Sequence, residues 1–294
     1  MQKSEKALED SLRRHVAVLS LDIGPRTPYQ GDGLERAARY IQDVFEDAGL
    51  EVAEQAYLFD GKRVANLIAA FPGAAAASAY YVVGAHYDTV PSTPGADDNA
   101  SAVAVMLETA RRLSGRPVPA PVRFVAFTLE EPPAFMTRQQ GSRVFVRECR
   151  RAGERIAAAV ILEMVGYTSL RQHYPLILRF AGYPRHGGFI GIVGNRKSRR
   201  FGRAVLAGFR DNPRLPVESL FVPFDGRVLP ATRLSDHASF WDAGLPALMV
   251  TDTAFFRNPN YHLPSDTIET LDFAFMAELV NSLELAVAEF PTVA

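Results

Sequence analysis

Apolar positions recur at steps of three and four residues in the first part of the chain, and the period then alternates. Leu34, Ala37, Ala38, Ile41, Val44 and Phe45 share one helical face and Gly49 follows, which predicts an amphipathic helix over 33–48. Segments 51–59 and 64–71 have strand character, 73–78 is a turn of small residues, and 80–85 is an apolar strand of buried type. Helix 101–113, strand 122–128, helix 142–151 and strand 157–162 come next. The pattern weakens between 164 and 230, where a strand over 189–193, a helix over 198–209 and a strand over 217–222 stand out. A short helix over 235–243 opens on Ser-Asp and stops before Gly244, a strand covers 246–251, and a long helix spans 273–290. This alternation predicts an α/β fold of three layers, α/β/α, with a mixed, mostly parallel central sheet. No repeat or polar linker divides the sequence, so residues 1–294 are expected to form one domain.

Composition narrows the partners. The 294 residues are 48% hydrophobic, which excludes a disordered or fibrous chain. A net charge of −1 gives no global attraction to nucleic acid or to an anionic membrane. Cys149 is the only cysteine, so neither an intrachain disulfide nor a thiolate metal cluster is available. Glu9, Asp10, Arg13 and Arg14 interrupt the apolar residues of 7–19, and no window reaches membrane-span length. The expectation is a soluble, cytoplasmic protein.

Candidate chemistry collects where predicted strands end. Ala85 runs into His86-Tyr87-Asp88, Thr128 is followed by Glu130-Glu131, Leu162 meets Glu163, and Thr251 leads to a loop carrying Tyr261-His262. In an open α/β sheet such strand ends converge on one crevice, and Asp97-Asp98-Asn99 follows the first of them. Imidazole nitrogens mixed with carboxylate oxygens suit zinc, and the surplus of carboxylates suggests two ions sharing a bridge. Asp88, two residues past His86 on an extended segment, can reach the second imidazole nitrogen and fix its tautomer. The adjacent pair Glu130 and Glu131 makes sense if one binds metal and the other takes the proton of metal-bound water.

The run VVGAHYDTVPSTPGADDNASAVAVMLETAR, followed in order by FVAFTLEEPPAFMTRQQGS, ILEMVGY, SDHASFWDAG and NYHLPSDT, resembles family 28 of the metallopeptidases, the co-catalytic zinc aminopeptidases, which are related to glutaminyl cyclases. The resemblance extends from about Ile23 to about Leu271. It implies two Zn2+ ions, one held by His86 and Glu163, the other by Glu131 and His262, with Asp98 bridging. It implies Glu130 as general base, a cis bond between Asp98 and Asn99, and Tyr261 as donor to the tetrahedral oxyanion. His237 matches a histidine near the substrate, with Asp236 supporting the site. The expected activity is release of N-terminal residues from peptides with a free α-amine.

Two departures bear on that expectation. Many secreted relatives carry aspartate where this chain has Glu163, although either carboxylate can bind zinc. The stretch PPAFMTRQQ after Glu131 is longer than in compact members and resembles in position an insertion of glutaminyl cyclases. A cyclase-like acyltransferase and a non-catalytic binding protein on the same fold therefore stand as alternatives.

Blander readings account for other residues. Asp97, Asp98 and Asn99 could cap the helix after them, though capping needs only one. His15, His173 and His186 lack such context and read as structural or exposed. Arg196, Lys197, Arg199, Arg200 and Arg203 read as a solvated helix face, and Gly188, Gly191 and Gly194 lack the spacing of a phosphate loop. Phe135 and Phe255, in loops near predicted ligands, are candidates for a side-chain pocket.

Overall fold

The computed structural model describes residues 2–178 and 181–293. Eight strands form one sheet, in the order β1-β2-β4-β3-β5-β8-β6-β7. They are β1 (Glu51–Phe59), β2 (Lys62–Ala70), β3 (Ala79–His86), β4 (Val122–Phe127), β5 (Arg155–Glu163), β6 (Ile190–Asn195), β7 (Val217–Val222) and β8 (Ala247–Thr251). The pairs β3/β4, β3/β5, β5/β8 and β6/β7 are parallel, while β1/β2, β2/β4 and β6/β8 are antiparallel. The sheet is thus mixed and mostly parallel, as its sequence pattern predicts. β3 and β4 are buried along their full length, which explains their unbroken apolar character.

Helices cover both faces. On one side lie α1 (Gln2–Ala17), α2 (Gly33–Asp47), α3 (Ala102–Leu113), α5 (Arg199–Arg210) and α7 (Phe273–Ala288). On the other lie α4 (Gly141–Arg151) and α6 (His237–Asp242). α2 buries Leu34, Ala37, Ile41 and Phe45, and each large apolar side chain among them contributes roughly 1.5–3 kcal/mol by leaving water. Gly49 at φ +82° then supplies the left-handed turn that ends this segment.

Helix α1 has no counterpart in the expected elements. Its apolar positions Leu8, Leu12 and Val16 repeat every four residues and are buried, while the intervening charges face outward. His15 from this helix is buried too, with Nε2 3.1 Å from Glu108 and Nδ1 2.6 Å from the Tyr40 hydroxyl, so it ties α1 to α3 and α2. The basic residues from Arg196 to Arg203 are exposed, as a solvated face requires. The segment between β5 and β6 holds a 3-10 turn, Leu176–Leu178, and an isolated bridge between Ser169 and Gly187 among its described residues, and Tyr174 and Leu178 from it line a pocket together with sheet residues. No helix among the described residues is long and apolar enough to cross a membrane.

Candidate metal centre and active site

Sheet topology brings the strand ends together. His86 is the last residue of β3 and Glu163 the last of β5, its parallel neighbour. Glu130 and Glu131 lie just past the end of β4, on the other side of β3. Asp98 enters from the π-helical turn Ala96–Ser101 ahead of α3, and His262 from the loop after β8. Leu129, Met164 and His262 all hold positive φ, of +55°, +44° and +60°, so strained backbone flanks the cluster at three points.

One carboxylate faces both imidazoles. Asp98 Oδ1 lies 3.4 Å from His86 Nε2, and Oδ2 lies 3.2 Å from His262 Nε2. Glu163 Oε2 stands 3.4 Å from His86 Nε2, and Glu131 Oε1 stands 3.2 Å from His262 Nε2. Glu130 Oε2 is farther off, 3.9 Å from His86 Nε2. The groups His86/Asp98/Glu163, Asp98/Glu131/His262 and His86/Glu130/Glu131 each place three ligand atoms within 4.8 Å of one another.

The donor set fits a cation. His86 Nε2, His262 Nε2 and Asp98 Oδ1 are buried with no hydrogen-bond partner, a costly state for polar atoms unless something further engages them. Burial and mutual repulsion push the Glu130 carboxyl well up, and Glu131, buried next to Asp98, rises to about 8. Burial disfavours a charged His262, yet the facing Asp98 and Glu131 carboxylates outweigh it and lift it to about 10. Burial likewise opposes ionisation of Asp98, but the two imidazoles outweigh it and hold that carboxyl low. Protons here do the neutralising that a divalent ion between the same atoms would do.

Supporting residues fix these groups. Asp88 accepts the backbone N–H of Glu130 at Oδ1 and that of Glu131 at Oδ2, both at 3.0 Å. Its Oδ1 also lies 3.4 Å from His86 Nδ1, which is 3.2 Å from the Asp88 carbonyl oxygen. The cis bond Asp98–Asn99 is followed by an amide that donates to Leu162 O and accepts from Met164 N, joining this turn to the end of β5. Asp97 is directed elsewhere, toward Gly166 N, Ser101 and Asn258.

Residues 66–284 match the sequence model of peptidase family M28. The chain belongs to this family. It is 35% identical to the uncharacterized protein YfbL of Escherichia coli K12, across 94% of this chain and 87% of that protein. A probable leucine aminopeptidase of Arthroderma otae is 25% identical, over 85% of this chain and 64% of its own length. Among solved structures, BSAP, a zinc aminopeptidase from Bacillus subtilis, superposes with a TM-score of 0.73 at 18% identity, covering 96% of this chain and 94% of that one. Porphyromonas gingivalis glutaminyl cyclase gives the same 0.73 at 18% identity, covering 96% and 98%. The fold is shared by peptidase and cyclase alike, so likeness of fold does not choose between the two chemistries.

Around this His and carboxylate cluster, three supporting groups carried no assignment from the sequence. Ser235 does not cap α6, as its place before the helix suggests, because its hydroxyl donates to Glu163 Oε2 at 2.7 Å. Asp266 accepts the N–H groups of Asp97 and Asp98 at 2.8 and 3.1 Å. It lies within the NYHLPSDT motif, which was a usable signal. Arg26 is fully buried and donates to five carbonyls, among them Pro94 and Gly95 just before the Asp98 turn. Gly95 sits at φ +60°, and a Cβ there would lie 2.4 Å from Asp98 O, so only glycine fits.

Tyr261 stacks on the His262 ring, with centroids 3.7 Å apart, at the edge of the cluster. His237 does not join the cluster. Its ring is fully buried against Trp241, and Nε2 donates to the Thr232 carbonyl at 2.8 Å. Asp236 accepts from the Gln140 side chain at 3.0 Å, and its burial near other acids raises it to about 7. Phe255 lines the apolar pocket that opens beside Glu163, whereas Phe135 does not.

Proposed function

We infer that this chain is a zinc-dependent aminopeptidase that hydrolyses the N-terminal residue from peptides with a free α-amine. The observation that carries this reading is the Asp98 carboxylate facing His86 with one oxygen and His262 with the other. His86, Glu163 and Asp98 would hold one zinc, and His262, Glu131 and Asp98 a second. Zinc held there supplies Lewis-acid polarisation of the scissile carbonyl and a lowered pKa for bound water.

Glu130 has a different task. Its carboxylate is farther from the imidazoles than those of Glu131 and Glu163, and Asp88 fixes its backbone, so it is placed to take a proton from the attacking water and return it to the leaving amine. The Tyr261 hydroxyl, at the open edge of the cluster, donates to the developing oxyanion. Asp88 keeps the Glu pair and His86 in register, and Asp236 holds Gln140 at the end of the 132–140 stretch. Every one of these groups hangs on one sheet and its loops, which supports treating residues 1–294 as one catalytic domain.

Product analysis of zinc-loaded protein with Leu-, Ala-, Arg- and Gln-peptides tests the reading. Release of a free amino acid supports it, and an N-acetylated peptide should be inert because the α-amine is part of what the site holds. Loss of ammonia from the Gln peptide alone would replace it with the cyclase. No product from any peptide, with metal bound, would replace it with a binding protein.

A further inference from the structure

The pairing of β5, β8, β6 and β7 places Glu163, Thr251, Gly191 and Glu218 in one row across the sheet. Paired residues project from the same face, and the next row on that face is Ile161, Met249, Val193 and Leu220. All of these residues except the core residue Ile161 line a pocket that begins at Glu163, and Tyr174, Leu178, Phe189, Leu229 and Phe255 supply apolar walls. Its space, open mouth included, is about 810 Å3. Glu218 stands at the far end, three strand spacings from Glu163, or about 14 Å between backbones.

Glu218 is out of place in such a lining. Among the described residues, no hydrogen bond or ion pair engages its carboxylate, and the nearby Tyr174 and Tyr183 hydroxyls are committed to Pro184 O and Ser219 O. Gly191, midway along the row, leaves the floor low. A Cβ there would meet Thr251 O at 3.5 Å and Thr253 Cγ2 at 3.7 Å, so the space exists without being used.

We propose that this pocket receives the side chain of the substrate's N-terminal residue and selects arginine or lysine, with Glu218 pairing the terminal cation. The proposal rests on the aminopeptidase reading for where the α-amine and scissile bond lie. A long aliphatic stem ending in a cation matches an apolar floor with Glu218 at its far end. A guanidinium can meet that carboxylate with two parallel hydrogen bonds. Leucine would stop short, leaving Glu218 without a partner and part of the floor uncovered.

The test uses the full zinc-loaded chain and aminoacyl p-nitroanilides of Arg, Lys, Leu and Met. Wild type should favour Arg over Leu by about tenfold or more in kcat/KM, the scale of a hydrogen bond to a charged group. Glu218→Gln should remove that preference while leaving Leu within about twofold, and Gly191→Leu, which fills the floor, should lose Arg and Lys before Leu. A wild-type preference for Leu, or equal losses for Arg and Leu in Glu218→Gln, overturns the proposal. Calorimetric binding of L-argininamide and L-leucinamide separates this failure from that of the peptidase reading. If nothing is hydrolysed yet argininamide binds about tenfold tighter and Glu218→Gln abolishes the difference, the pocket assignment stands and the peptidase does not. Equal binding of the two amides overturns the pocket assignment as well.

Discussion

Asp88 Oδ1 accepts the backbone N–H of Glu130 at 3.0 Å, and the other oxygen of the same carboxylate holds Glu131 equally. One buried side chain thereby sets the position of both glutamates and also approaches His86 Nδ1. Asp88→Ala should lower kcat and zinc affinity together, each by roughly 10–100-fold, the usual cost of removing a group that orients metal ligands. Asp88→Asn keeps one acceptor oxygen and should fall between wild type and Asp88→Ala. Zinc titration beside steady-state kinetics checks this, and unchanged zinc affinity in Asp88→Ala would remove its positioning role.

Glu130 and Glu131 are neighbours with different surroundings, and their variants should separate. Glu131 approaches His262 at 3.2 Å, whereas Glu130 stays 3.9 Å from His86. Glu130→Gln should keep its metal and lose about 100-fold or more in kcat, since an amide cannot accept the proton. Glu131→Gln should lose metal first. Elemental analysis of both purified variants, paired with turnover numbers, distinguishes the roles.

Much of this arrangement was legible because local periodicity and motif order carried it. β1 and β7 begin and end where alternation predicts, and His86, Asp98, Glu131, Glu163 and His262, singled out at strand ends, do meet in space. What escaped depends on contacts between distant segments. The four-residue repeat of α1 is present, but charges interrupt its apolar run, and its buried face is defined by packing against the distant α3 and α7. Ser235 has the sequence context of a cap, and only the folded chain shows its hydroxyl turned to Glu163. Arg26 reaches Tyr87, Pro94 and Gly95, and Asp266 reaches Asp97 and Asp98, all more than 60 residues away along the chain. The Glu163 to Glu218 row exists only through the register of four strands, which no periodicity encodes.

Zinc loading should release protons. Without metal, Glu131 at about 8 and His262 at about 10 both carry a proton at pH 7. Both must be deprotonated to bind an ion, so apparent zinc affinity should rise with pH through this range. Calorimetric titrations in Tris and in phosphate buffer would show a difference in observed heat corresponding to at least one proton per chain. Equal heats in the two buffers would mean that these groups are not ligands. An ion held only by the folded state stabilises it by mass action, so on the proposed reading chelation should also lower the melting temperature.

His237 should govern part of the acid limb of stability. Burial holds this imidazole at about 4, below its ordinary 6.5, and Nδ1 has no partner to stabilise a charged ring. The unfolded chain therefore binds a proton between those values that the folded chain does not. The neutral ring's contribution is complete above pH 6.5 and is lost as pH falls toward 4. The difference of about 2.5 pH units corresponds to ~3 kcal/mol at full loss. His237→Gln retains a side-chain donor that can reach the Thr232 carbonyl but does not titrate. Its stability should fall less steeply than wild type between pH 6.5 and pH 4 in metal-free protein, measured by urea unfolding at a series of pH values. Parallel pH profiles for the two proteins would show that the ring is already able to take up a proton in the folded state.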